Sequence, residues 1–203
     1  MAVDDLKYVI TVSELNTRLG VTLSTALGEQ ACATATALIA AYTGQDIVWK
    51  MHTHTLDVQY GIRPDVDLPP NHPLLDFPNT LGVVALPQRP VVSVSAVLAD
   101  TVELPTADFW WDAANGRLLL KEPDVHSVQV TYTAGYNPIP DDIKAVALAI
   151  AADEINNPRG VLQERLADYS VTYANGDAGG LTPRQAAILD RYRGAGGTIR
   201  VTP

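Results

Sequence analysis

Along residues 127–157 the spacing of hydrophobic positions changes from every second residue to a helical period. Val128, Val130 and Tyr132 alternate with Gln129, Thr131 and Thr133, which predicts a half-buried strand. Gly135 breaks it, and Pro138 and Pro140 mark a turn. Asp141 is placed to cap the helix that follows, and Asp141 and Asp142 put negative charge at its positive end. Residues 145–152, AVALAIAA, are apolar nearly all round, so burial on more than one side is expected. One side would pack on the chain's own sheet, and the other needs a second cover from this chain or another copy.

The same patterning sorts the rest of the chain. Thr11 with Glu14 fits a capping box, opening a short helix that ends at Arg18 or Leu19 before Gly20. A longer helix starts at Ser24 or Thr25 and ends near Tyr42, with Gly44 beyond. Its apolar stripe reads Leu27, Ala31, Ala35, Leu38 and Tyr42. Ala33, Ala37, Ala40 and Ala41 leave room opposite for close approach of another helix, in this copy or a neighbour. Residues 47–58 are strand-like, with Ile47, Trp49 and Met51 on one face and Lys50, His52 and His54 on the other. Residues 60–80 hold five prolines with Asp65, Asp67 and Asp76, and read as a long projecting loop or a disordered insertion.

Strands resume over 81–86 and 91–98, where Val92, Val94, Ala96 and Leu98 alternate with Ser93, Ser95 and Val97. Asn115-Gly116 predicts a hairpin within 109–120; Trp110 and Trp111 then face opposite ways, one toward the core and the other exposed or covered by a partner. Past a break at 157–160, residues 161–166 suggest a short helical turn, 169–173 a strand and 174–180 a flexible link. Thr182-Pro183 starts a helix with apolar positions Ala186, Ile188, Leu189 and Tyr192, ended by Gly194. GAGG then links to a strand-forming TIRV at 198–201. The expectation is an α+β fold: N-terminal helices, a mainly antiparallel central sheet with a buried helix, and a C-terminal helix with an extended tail. Residues 1–180 form the core, with the Pro-rich loop at 60–80; 181–203 form the helix and flexible tail for partner docking.

Composition narrows the function classes. The 203 residues suit one domain, or one domain with an appendage, and no apolar run approaches the roughly 18 residues that span a membrane. The opening MAVDDLKYV has no basic region followed by an apolar stretch, so no secretory leader is expected. Cys32 is the single cysteine, read as a small buried apolar residue in a chain without internal disulfides. Net charge is −9, unevenly spread: residues 181–203 carry +3 and the remainder −12. An acidic body argues against wrapping DNA, whose affinity comes from phosphate neutralisation, though not against DNA passing by.

No phosphate-binding glycine loop, HExxH zinc motif or GxSxG nucleophile elbow is present, and no two carboxylates stand out as an acid/base pair. His52 and His54 project the same way along a strand, but no third ligand completes a metal site. They are read as exposed strand histidines. Neither catalytic residues, metal nor cofactor is expected.

Several stretches in order carry a resemblance. LPQRPVVSVSAVLAD at 86–100 is followed by VTYTAGYNPIPDDIKAV, then ADYSVTY at 167–173 and a closing helix after LTPRQ. Across residues 11–193 the chain resembles the head-tail adaptor (head completion or connector) family of long-tailed bacteriophages. That resemblance implies a structural virion protein without enzyme activity, made in the host bacterial cytoplasm. It would form a ring of about twelve copies beneath the portal and extend the DNA channel. The ring would pass double-stranded DNA without specific binding and join the head to a downstream neck (stopper) or tail protein. Ala145, Leu148, Ala149 and Ala152, with Ala33, Ala37 and Ala41, are candidates for the subunit contact. Arg184, Arg191, Tyr192, Arg193, Ile199, Arg200 and Val201 are candidates for docking the portal, and Asp65, Asp67 and Asp76 for a channel- or neck-facing loop. Two alternatives stand beside this reading: an α+β binding module that forms no ring, and an enzyme with its site in the Pro-rich loop.

Overall fold

The computed structural model describes residues 7–62, 80–99, 101–113, 115–121, 125–157, 163–166, 169–172 and 181–193. It combines helices with antiparallel sheets in an α+β fold, and the chain divides into two compact units. One, helical, takes the chain up to Val48 and again from Tyr136; the other runs from Trp49 to Gly135.

The helical unit starts with α1 (Val12–Leu19), closed by the expected capping box: Thr11 accepts from the Glu14 amide while Glu14 accepts from the Thr11 amide. Gly20 ends it in the left-handed conformation. Helix α2 (Thr25–Thr43) is capped by Ser24 and ended by left-handed Gly44. Its buried face is Gly28, Ala31, Cys32, Ala35, Ile39 and Thr43. The predicted stripe is therefore rotated, leaving Leu27 46% exposed and Leu38 and Tyr42 only partly covered. Gly28 explains the rotation, because a Cβ there would lie 2.5 Å from Val12 Cγ1, and only glycine lets α1 approach this closely.

Helix α3 (Asp141–Asn156) buries Ile143, Val146, Ala147, Ile150 and Ala151. Its partners are α1, α2 and α4 (Pro183–Leu189), where the sequence suggested a sheet. These helices cover one side of its broad apolar perimeter and leave Ala145 exposed and Leu148, Ala149 and Ala152 half-buried. The Asp141 cap is also corrected: Pro140 takes the cap position without a side-chain bond, and Asp142 Oδ1 accepts from the Ile143 amide at 2.9 Å. Lys144 on α3 pairs with Glu14 on α1 at 3.0 Å. Burial raises the Glu14 carboxyl, but its bonds to the Thr11 amide and Lys144 outweigh that and hold it below the usual range. Val48 and Tyr136 form a parallel bridge in this unit, and the Tyr136 amide donates to the Ile47 carbonyl.

The second unit divides its strands between two antiparallel four-stranded sheets instead of one central sheet. The strands are β1 (Lys50–Asp57), β2 (Gln59–Ile62), β3 (Thr80–Ala85), β4 (Val91–Ala99), β5 (Val102–Glu103), β6 (Phe109–Asp112), β7 (Arg117–Leu120) and β8 (Ser127–Ala134). The orders are β1-β8-β4-β5 and β2-β3-β7-β6. A shared core holds Val84, Leu86, Val97, Leu118, Leu120, Val128, Val130 and Tyr132.

Two strand phases differ from the sequence reading. In β1 the histidines face inward and Met51 is 68% exposed. His52 lies opposite Tyr132 in the β8 register, so the two share the core side. Ile47, which set the predicted phase, belongs to the helical core and does not continue into the strand. In β4, register shifts between Val91 and Ser93 and between Val94 and Ala96 bury Val91, Val97 and Ala99 and expose Val92. Each bulge reverses the side-chain alternation.

The Asn115-Gly116 hairpin joins β6 to β7, with Gly116 at φ 58° and Asn115 bonded to Asp112. Both tryptophans are half-buried on opposite faces: Trp111 against the shared core, Trp110 against Leu81 and Leu119. Residues 60–62 and Thr80 pair in β2 and β3, which confines the Pro-rich stretch to residues 63–79, outside the described residues. The helical turn expected over 161–166 is also corrected. Residues Gln163–Leu166 form β9, paired antiparallel with β10 (Tyr169–Thr172), because strand pairing overrides the local helix propensity of QERL.

A first expected outcome arises at Gly28. Val12 is β-branched and stiff, so any added side chain at Gly28 forces α1 outward. Gly28→Leu should cost about 1–3 kcal/mol in a denaturant melt. A variant as stable as the parent would show that the close crossing carries no constraint.

Candidate docking segment and subunit face

The C-terminal helix forms for local reasons. Thr182 accepts from the Gln185 amide, Gln185 Oε1 accepts from the Thr182 amide, and Pro183 stands in the first turn. Leu181 and Leu189 are buried in the helical core, with Ile188 and Tyr192 partly buried against it. A 3₁₀ turn (Asp190–Tyr192) follows, and Arg193 is the last described residue of the segment.

Two carboxylates fasten this segment. Asp142, at the start of α3, accepts the Tyr192 hydroxyl at 2.8 and 2.9 Å on its two oxygens and Arg191 Nη2 at 2.8 Å. Asp190, in the segment itself, accepts the Tyr42 hydroxyl from α2 at 2.8 Å and faces Arg193 Nη1 at 3.5 Å. The Arg193 guanidinium lies 5.2 Å from the Tyr42 ring centre, and the Tyr192 ring meets Tyr136 edge-on at 5.7 Å. Tyr192 is thus engaged within its own chain, which fixes the segment.

Burial, with the bond to Asp142 and its charge, pushes the Tyr192 hydroxyl up to about 12. Tyr42 is raised through its bond to Asp190. The raised Tyr192 value stabilises the fold fully below the ordinary tyrosine range near 10, and that contribution is lost as pH rises through about 12. An absorbance titration near 295 nm should therefore show a late-ionising phenol that disappears in Tyr192→Phe. Identical curves for parent and variant would contradict the Asp142 tie.

Arg184 is exposed on α4, while Ile199, Arg200 and Val201 lie outside the described residues. On the proposed subunit faces, Ala145, Ala37 and Ala41 are exposed, and Leu148, Ala149, Ala152 and Ala33 are half-buried. Asp65, Asp67 and Asp76 lie outside the described residues. The sequence did not reveal Asp142, Asp190, Tyr42 and Tyr136 as partners of the docking segment, because their contacts span about 50 to 150 residues and have no local signature. Among the described residues, no group of three or more His, Cys, Asp or Glu side chains could hold a metal, and no helix is long and apolar enough to cross a membrane.

No family model matches the sequence, and no curated protein matches it. Among solved structures, the fold is similar to a chain described as the neck of an empty GTA particle computed with C6 symmetry. The TM-score is 0.55 at 19% identity, covering 100% of this chain and 95% of that one. The two share a fold along essentially their whole lengths.

Proposed function

We propose that this protein is a structural component of the neck of a phage-like particle, a head-to-tail adaptor that acts without catalysis. The observation that carries the reading is end-to-end likeness to a chain from a particle neck, reached independently of the order of sequence stretches that resembles the adaptor family. In this reading copies form a closed ring beneath the portal, joined head to tail through the α2 and α3 faces. About twelve copies fit the family, and a multiple of six agrees with the C6 symmetry of the similar neck.

The ring continues the DNA channel and passes duplex DNA without specific binding. Its acidic body, with Asp65, Asp67 and Asp76 as candidates for the lumen or the neck-facing rim, keeps phosphate from adhering. The end from residue 181 docks the portal: Arg184, Arg191 and Arg193 meet the partner, Tyr192 fixes the segment, and Ile199, Arg200 and Val201 extend the contact. The far rim receives a stopper or tail protein. The protein is made in the host cytoplasm and ends at the head–tail junction of the virion.

Deleting the gene should leave filled heads and free tails that do not join, and the purified protein should restore joining. Tailed particles forming at normal yield without it would reject the adaptor role.

A further inference from the structure

The two fastenings of the C-terminal segment are built crosswise. Asp142 belongs to α3 and receives groups from the segment, whereas Asp190 belongs to the segment and receives Tyr42 from α2. Each carboxylate also holds one arginine by a single terminal nitrogen: Arg191 through Nη2, Arg193 through Nη1. Arg191 and Arg193 remain 64% and 59% exposed. Arg191 also donates through Nε to the Ile188 carbonyl at 3.5 Å, and each guanidinium, with five N–H donors, keeps donors beyond those these contacts use. An untethered arginine loses substantial rotamer freedom when it binds, and one already held by its own carboxylate loses less.

We propose that the Asp142–Asp190 clasp pre-sets Arg191 and Arg193 as a paired receptor for carboxylates on an acidic surface of another protein. This rests on the docking role given above to the C-terminal segment. The fork geometry matches carboxylates two bonds at a time. Within the clasp Asp142 and Asp190 balance Arg191 and Arg193 in charge, so recognition rests on the geometry of the guanidinium forks and not on a net positive field. Asp142 and Asp190 act as positioning residues, and Tyr42 and Tyr192 hold them in place.

The test uses the full chain, follows the arginine side-chain N–H signals by NMR, and takes an oligoglutamate peptide as probe at low salt. The Arg191 and Arg193 signals should move together, and high salt should abolish the effect. Asp142→Asn combined with Asp190→Asn separates the proposal from simple attraction. Removing two negative charges would by Coulomb's law tighten peptide binding, whereas loss of the clasp should weaken it about tenfold. Tyr42→Phe with Tyr192→Phe keeps every charge and should weaken binding about threefold, which decides the matter if the asparagine variant does not fold.

Unchanged or tighter binding in the folded variants would overturn the proposal. So would duplex DNA moving the same signals as strongly, or self-association that occupies both arginines without peptide. The two readings fail separately. Particles that join heads to tails without this protein would defeat the docking role and leave the peptide result standing. Loss of the peptide effect in a protein still needed for joining would defeat the clasp alone.

Discussion

Replacing Tyr132 with alanine is expected to lower the stability of the strand unit by about 3–5 kcal/mol, the usual cost of emptying an aromatic site in a core. Tyr132 sits within β8, flanked by β1 and β4, with no exposed surface. Its ring lies 5.7 Å from both His52 and His54, its hydroxyl accepts from the Gln88 amide at 3.2 Å, and His54 Nδ1 is also 3.2 Å away. Alanine removes the ring contacts and the hydroxyl at once. Single domains are stable by roughly 5–15 kcal/mol, so this one change takes a large share. The three tryptophans, Trp49, Trp110 and Trp111, all lie in this unit, so tryptophan fluorescence in a denaturant titration reports on it directly. Tyr132→Phe, which removes only the hydroxyl, should cost about 1 kcal/mol. A loss below about 1 kcal/mol for the alanine variant would show that the core does not depend on this ring.

Joining of heads to tails should fail almost completely when Ala37→Arg is combined with Ala145→Arg. Both positions are exposed in the single chain, where such substitutions usually stay within about 0.5 kcal/mol. At a subunit contact each arginine would be desolvated without a partner, at several kcal/mol, and a closed ring repeats that cost at every interface. The variant should therefore melt like the parent yet leave heads and tails unjoined in a complementation assay. Normal tailed-particle yields would remove the α2 and α3 faces from the ring contact.

Elements defined by neighbours in sequence were legible in advance. The Thr11–Glu14 capping box, the helix start at Thr182-Pro183, the left-handed stops at Gly20 and Gly44, and the Asn115-Gly116 hairpin rest on bonds within a few residues. What depended on tertiary context was not. The β4 alternation failed because bulges re-phase the strand, and β1 was assigned inside out because Ile47 serves a different core. Residues 163–166 became strand only through pairing with β10. The face of α2 was rotated by Gly28, whose role appears only once α1 lies across it. The same limit applies to the candidate site. The bonds that tie Tyr192 to Asp142 join residues 50 apart and left no local signature in the sequence.

An image of the particle neck at side-chain detail bears most directly on the adaptor role. It should show a ring of this chain beneath the portal, with Ala37, Ala41, Ala145 and Ala149 at the contact between copies and Arg184, Arg191 and Arg193 turned to the portal. Its lumen should be free of arginines bound to DNA phosphate. A neck built without this chain, or copies that touch only through other surfaces with α2 and α3 left bare, would contradict it.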